Sequence, residues 1–398
     1  MTGPMAGVRV VEFGQWVAGP SAAAILADWG AEVVKIEAHA GDPMRGFGVL
    51  PGAASIPPAF EIDNRGKRSI ALDLRLRSAR EVAAKLVARA DVFITNARPS
   101  ALTRSGLDFA TLGARHPGLV YGLASAYGPE TSERDRAAYD IGAFWARSGV
   151  AASLTYPGFP TPLQRPGMGD HNLAAQLAGG ISAALFHRER TGEGQLVTTS
   201  LVRTATWTLA WDLEVALRTG VAPEPAPPGA PPNPLVGWYD TADGRRVWLL
   251  MLQGPRHWPD FARAVERLEW LDDPRYATWP ELLAHRADLT GEIAAIIATR
   301  TLDEWADIFD ANDVWWAPVQ TQAQLFSDPV MTEAGVWTDL PTADGAVPTV
   351  ASPVDFSATP WEVTGPVPAL GQHTEELLLD LGYDWTDVGR LKDEGAIP

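Results

Sequence analysis

Cysteine is absent from all 398 residues, which excludes disulfides, thiolate nucleophiles and cysteine-ligated metals and is compatible with a reducing cytoplasm. Histidine is scarce, and the seven (39, 116, 171, 187, 257, 285 and 373) show no H-E-x-x-H or comparable ligand spacing. No metal centre is expected. Positive charge is in deficit: 32 basic against 49 acidic residues leave a net −17, which disfavours nucleic acid and anionic lipid as partners. No stretch reaches the ~18 uninterrupted apolar residues of a membrane span; Leu173 to Phe186, the longest candidate, is broken by glycine and glutamine. The residues from Met1 to Met5 have neither the basic start nor the apolar run of a signal peptide. The expectation is a cytoplasmic protein with no membrane partner.

What is present is ordinary for a folded chain, with 46% hydrophobic and 20% charged residues. At ~150 residues per domain, the length suggests one large or two to three ordinary domains. The first third alternates β-branched runs with helical patterns: strands at Val8 to Phe13, Glu32 to Ile36, Ser69 to Leu72, Val92 to Thr95 and Leu119 to Leu123, helices at Pro20 to Trp29 and Arg77 to Arg89. That rhythm predicts an α/β fold with a parallel sheet. Pro20 fits the first turn of its helix, where a missing N–H costs nothing. Leu173, Leu177, Ile181 and Leu185 repeat every four positions, a helix over 172–190 with one buried stripe, followed by a strand from Gln195 to Ser200.

Seven prolines between Ala222 and Pro234, at 223, 225, 227, 228, 231, 232 and 234, mark an extended boundary. Beyond it the spacing predicts a hairpin around Asp243-Gly244, helices over 257–268, 280–299 and 301–311, and a capping box from Thr301 and Glu304. Eight of the sixteen tryptophans fall between 238 and 316, so this second unit should have an aromatic core. The tail is read as irregular until a short helix from Thr374 to Gly382.

Standard fingerprints fail. The turn after the first strand, Gly14 to Pro20 (GQWVAGP), is neither a dinucleotide nor a P-loop motif. One carboxylate stands out: Asp170, in Gly167 to Asn172 (GMGDHN), precedes the striped helix. It fits a helix N-cap, and it also fits a nucleophile, because the N–H groups at a helix start keep a carboxylate ionised. Arg65, Lys67, Arg68, Arg75, Arg98 and Arg104 lie near strand ends and are candidates for an anion-binding rim. Tyr139-Asp140 is a candidate to face the same cleft as Asp170, although a tyrosine there also fits simple packing.

Several segments together resemble the class III CoA-transferase family, which includes formyl-CoA transferase, carnitine CoA-transferase and the α-methylacyl-CoA racemases. They are Gly7 to Phe13, Ala18 to Pro20, Leu26 to Glu37 (LADWGAEVVKIE), Gly41 to Pro43, Asn64 to Leu74 (NRGKRSIALDL), Gly169-Asp170, Thr191 to Gln195 and Leu370 to Thr374. The resemblance implies a Rossmann-like large domain built from both chain ends, a smaller α+β domain and an interlocked homodimer. The corresponding division is 1–220, a linker at 221–236, a small domain at 237–325 and a returning segment at 326–398.

The same resemblance implies acyl-CoA and a carboxylic acid as substrates, no metal or redox cofactor, and Asp170 as a nucleophile that forms an aspartyl mixed anhydride and then an aspartyl-CoA thioester. Donors near Gly169 would suit the oxyanion. Coenzyme A contacts carry over to Leu72, Asn96 and Arg104, with Arg136 beside a relative's lysine. Ala38 and His39 stand where the family often has arginine, leaving Arg98 or Arg65 to compensate. Phe47, Tyr139 and Gly169 are assigned to the substrate pocket, and Phe144, Trp145 and Trp316 are further candidates for a bulky apolar one. Tyr139 replaces the racemases' proton-transferring histidine and is poorly suited to that role. Gln253 to Arg256 replaces the glycine-rich gate of formyl-CoA transferases. Two other readings remain at this stage: racemisation or other α-proton transfer on an acyl-CoA, and a catalytically silent coenzyme A-binding protein.

Overall fold

The computed structural model describes residues 3–47, 57–227, 229, 231–342 and 345–398; Met1, Thr2 and Pro228, used above, lie outside them. The first of two units comprises Met1–Ala152, Leu163–Ala222 and Gly335–Pro398. Its centre is a parallel sheet of β1 (Arg9–Phe13), β2 (Glu32–Glu37), β3 (Lys67–Ala71), β4 (Val92–Thr95), β5 (Val120–Ser125) and β6 (Leu196–Ser200), in the order β3-β2-β1-β4-β5-β6. The helices that matter for the site are α1 (Ala18–Asp28), α2 (Pro58–Asn64), α3 (Arg77–Ala88), α4 (Pro99–Ser105) and a long helix, Met168–Thr191.

Consecutive strand residues point to opposite faces, and both faces are covered, which is why the strands read as unbroken apolar runs. Val10, Val33, Val92 and Val120 pack with α1 and with Leu173, Leu177 and Ile181 of the long helix. Val11, Val34, Phe93 and Tyr121 pack with Val82 and Leu86 of α3 and with Leu377, Val388 and Leu391 from the chain's end. The C-terminal segment is tied to β3 by backbone bonds, His373 N–H to Ser69 O (2.9 Å) among them. Chain order reverses between β1 and β4, which leaves a crevice at their carboxyl ends.

One polar network breaks the apolar pattern. Glu12 of β1 is fully buried and accepts from Lys35 of β2 and Lys67 of β3, each at 2.7 Å. Lys35 also reaches Asp42 (3.1 Å) and the Gly14 carbonyl (2.9 Å). Lys67 donates to the carbonyls of Pro20 (2.8 Å) and Asp63 (2.6 Å) and to Asn64. Burial opposes the charge of Lys35, but Glu12, Asp42 and Glu37 outweigh it and raise its pKa. Burial wins at Lys67, whose pKa is pushed down to about 8.

The second unit, Ser153–Pro162 with Pro223–Ala334, holds an antiparallel sheet of β7 (Val236–Asp240), β8 (Arg246–Leu250) and β9 (Trp316–Pro318). Its core is aromatic as expected: Trp305, Phe261, Phe309 and Tyr276 are buried, and Trp258 stacks on Trp270 at 5.5 Å. The Thr301–Glu304 capping box is present.

Several expectations are corrected. The helix over 280–299 is two, Trp279–Ala284 and Arg286–Ile297. Gly254 to Arg256 form the first turn of a helix, Gly254–Ala264, and a Cβ on Gly254 would lie 1.8 Å from the Trp279 ring. The hairpin of β10 (Trp337–Thr342) and β11 (Gly345–Val350) and the helix Trp385–Asp393 escaped the sequence reading, their apolar patterns being weak and interrupted by proline or charge.

Replacing Lys35 with methionine leaves Glu12 and Asp42 buried without that cation. A loss of about 3–5 kcal/mol is expected, read as a lowered urea midpoint of the first unit by near-ultraviolet circular dichroism.

Candidate active site

The turn between β1 and α1 is shaped by side chains from elsewhere in the sheet. Asn96, just past β4, accepts from Gln15 N–H (3.0 Å) and donates to Gln15 O (2.7 Å). Trp16 takes a left-handed backbone (φ 63), unusual for a bulky residue and therefore held from outside. Its N–H donates to Asp42 (3.1 Å), the carboxylate that Lys35 anchors. The Trp16 ring meets Tyr139 at 5.1 Å and Phe47 at 5.6 Å, both edge to face. Phe47 and Tyr139 are nonetheless 60% and 54% exposed, leaving apolar surface for a ligand to cover. Trp16 was missed by the sequence reading; its only signal was the motif Gly14 to Pro20.

A cavity of about 830 Å³ opens at the carboxyl ends of β1, β2 and β3. Its wall includes Gly14, Gln15, Ala38, His39, Leu72, Arg75, Arg80 and, from α4, Arg104. This is where an open α/β sheet holds ligands, and its size suits a small-molecule site. The acidic groups there are largely matched: Arg45 grips Glu37 through two bonds (2.6 and 2.8 Å), and Arg75 pairs with Asp73 (2.6 Å). Burial pushes the Glu37 carboxyl up, but Arg45, Lys35 and Ser69 prevail and lower its pKa. A local basic rim therefore exists despite the chain's net −17.

The expected anion rim is narrower than its sequence candidates. Arg65 is buried against Asp28 (2.7 and 3.1 Å), Lys67 belongs to the core network, and Arg68 pairs with Glu376 and Asp380. Proximity to strand ends did not distinguish side chains that point into the core from those that line the crevice. Leu72 and Arg104 line the cavity, whereas Asn96, Arg98 and Arg136 are outside its wall. Arg98 is exposed at the start of α4, and Arg136 pairs with Glu133 at 3.2 Å.

Asp170 is not the cap of the long helix. Gly167, in the left-handed conformation (φ 73), occupies that place, and Asp170 is the third helical residue. Gly169 is required by close approach: a Cβ there would lie 2.6 Å from Phe144. Its N–H donates to Asp140 (3.1 Å), so that donor is occupied rather than free for an oxyanion. Asp140 is also held by Gln164 (2.5 Å) and by Ile141 N–H (2.8 Å) at the head of a π-helical turn, Ile141–Ala146. Phe144 and Trp145 on that turn are core residues, not pocket walls, and Trp316 packs at the aromatic core of the second unit.

The half-buried Asp170 carboxyl is pushed up to about 7, first by burial and then by the charges of Asp140 and Asp63, with His171 opposing. Nothing among the described residues donates a hydrogen bond to it. His171, a further residue the sequence reading passed over, bonds the buried Asp63 at 3.0 Å. Asp63 itself carried no signal in the sequence. Carboxyls shifted this far cluster at reactive sites. Among the described residues no cluster of three or more His, Asp or Glu is arranged to hold a metal ion, and no helix is long and apolar enough to cross a membrane.

The sequence pattern of CoA-transferase family III matches residues 5–374. The chain is 31% identical to (R)-2-hydroxy-4-methylpentanoate CoA-transferase of Clostridioides difficile, covering 98% of each. It is 30% identical to cinnamoyl-CoA:phenyllactate CoA-transferase of Clostridium sporogenes, over 100% of this chain and 98% of the other. The crystal structure of Rv3272 from M. tuberculosis superposes with a TM-score of 0.84 at 28% identity, covering 95% of this chain and 99% of that one.

The shift at Asp170 has a consequence for stability. A carboxyl that keeps its proton up to about pH 7 when folded, but has an ordinary 3.8 when unfolded, binds more protons in the folded state between those values. Stability therefore falls as pH rises through that window. Asp170→Asn cannot ionise, so its melting temperature should exceed the parent's at pH 8.5, with the difference vanishing toward pH 4 in thermal scans. Equal melting at both pH values would contradict the assignment.

Proposed function

The chain belongs to CoA-transferase family III, and on that premise we propose that it transfers coenzyme A from an acyl-CoA thioester to a carboxylate acceptor through covalent intermediates on Asp170. The observation that carries this reading is the Asp170 carboxyl itself: half-buried, without a hydrogen-bond donor among the described residues, and on the first turn of a helix. An ionised carboxylate without such donors is a better nucleophile than one whose lone pairs are engaged.

The chemistry balances without an external energy source. Asp170 attacks the thioester carbonyl, the C–S bond breaks, and coenzyme A leaves as thiolate while a mixed anhydride forms. The thiolate then attacks the aspartyl carbonyl and expels the first acid as carboxylate, giving an aspartyl-CoA thioester. The acceptor carboxylate attacks that thioester and regenerates free thiolate. Attack of the thiolate on the new acyl carbonyl releases the product thioester and restores Asp170.

Coenzyme A is assigned to the cavity beyond β1 to β3. Leu72 offers an apolar surface for the adenine, and Arg104 with Arg75 and Arg80 offers positive charge to phosphates. The exposed face of Trp16, Phe47 and Tyr139 adjoins Asp170 through chain neighbours: Tyr139 precedes Asp140, whose carboxylate holds Gly169. It suits the acyl group, and an apolar one is favoured because the charges acting on Asp170 are Asp140, Asp63 and His171, with no lysine or arginine among them. Homodimerisation is supported by Trp207, Trp211 and Leu217, which are 74%, 85% and 80% exposed on the helices Leu201–Thr208 and Ala210–Thr219.

Incubation with an acyl-CoA and hydroxylamine, followed by peptide mass spectrometry, should reveal a hydroxamate at Asp170. Unmodified Asp170 during active turnover would overturn the covalent route. Arg104→Ala should raise KM for acyl-CoA about tenfold with kcat unchanged, the loss of one charge-assisted phosphate contact, as measured in steady-state assays at saturating acceptor.

A further inference from the structure

Asp63 is the next-to-last residue of α2, with its side chain 2% exposed, and its carboxylate meets His171 Nε2 at 3.0 Å. The position of Asp63 is fixed from behind. Lys67 Nζ donates to the Asp63 carbonyl (2.6 Å) and to Asn64 (3.1 Å), and is itself held by Glu12. On the ring's other side its Nδ1 and Cε1 lie 3.3 Å from where a Cβ on Gly167 would stand. A side chain at 167 would press on the ring and take a left-handed backbone, so the glycine serves both the turn and the seat of the histidine.

We propose that Asp63 and His171 form a fixed ion pair whose cationic ring is the counter-charge that favours the ionised form of Asp170 needed for attack. The charged groups facing His171 are Asp63 on α2, Asp170 on its own helix and Asp140 ahead of the π-helical turn. All three are carboxylates. Burial of the ring disfavours its charge, but the hydrogen bond to Asp63 and the three carboxylates prevail, and its pKa is raised. Among the described residues, the same ring lowers the Asp170 pKa against burial, Asp140 and Asp63. His171 is thus a positioning residue in the electrostatic sense: it sets the protonation state of its neighbour. The role in attack rests on the assignment of Asp170 as nucleophile, whereas the role in ionisation does not.

Two measurements separate these. In the full-length protein carrying carboxyl-13C aspartate, with the Asp170 resonance assigned through Asp170→Asn, the titration midpoint of Asp170 should rise by about 1 pH unit in His171→Asn, and should move less in Asp63→Asn, which removes the ring's partner together with a carboxylate that itself raises Asp170. His171 has a half-exposed side chain, so its variant should fold even where the Asp63 variant does not. An unmoved midpoint in His171→Asn overturns the proposal. The pH profile of hydroxamate formation at Asp170 provides the second readout. Its acid limb should move upward by the same amount in His171→Asn, with the high-pH plateau retained. A shifted resonance with an unshifted acid limb would uphold the ion pair's control of ionisation and overturn its part in attack. Absence of hydroxamate in the parent would instead defeat the nucleophile assignment.

Discussion

Glu12 lies at the middle of the sheet with no exposure, and its two oxygens each receive a lysine, one from the adjacent β2 and one from β3 beyond it. Burying three charges is tolerable only when all are satisfied, since desolvation of any one left alone costs several kcal/mol. The satisfaction here extends outward. Lys35 holds Asp42, which holds the strained backbone of Trp16. Lys67 holds the end of α2, which presents Asp63 to His171. Both sides of the proposed active site thus hang from one carboxylate.

That arrangement explains how a loop-rich site is kept rigid. Trp16 needs its positive φ maintained against local preference, and the Phe47 and Tyr139 rings depend on it for their edge-to-face partner. A buried polar network with specific geometry can enforce such a conformation where apolar packing, being non-directional, would not. The site also concentrates negative charge. Asp140 and Asp63 both raise the Asp170 pKa, and His171 opposes them. Such crowding lowers stability and is tolerated where reactivity needs it.

Much of the first unit was legible because both faces of its sheet are buried. Val10 with Val11, and Val33 with Val34, appear in sequence as unbroken apolar pairs, since each neighbour serves the opposite core. The helix behind Asp170 was legible from its four-residue repeat, although its start lay earlier, at Met168, because Gly167 rather than Asp170 ends the preceding loop. Asp170 and Arg104 already stood out among the residues, and the family resemblance gave them roles and added Leu72. It did not reveal that Arg65 and Lys67 turn inward, because a basic residue near a strand end has the same sequence signature whether it meets a ligand or a buried carboxylate.

The sequence by itself determined the alternating strand and helix order, the proline boundary, the aromatic second core and the residue type at position 170, all of which follow from local pattern and composition. Tertiary structure alone decided which charges cancel. Glu12 meets a lysine 23 residues away and another 55 away, and His171 meets a carboxylate 108 residues distant. The energy of a charge is set by what surrounds it in space, and no periodicity along the chain encodes those surroundings.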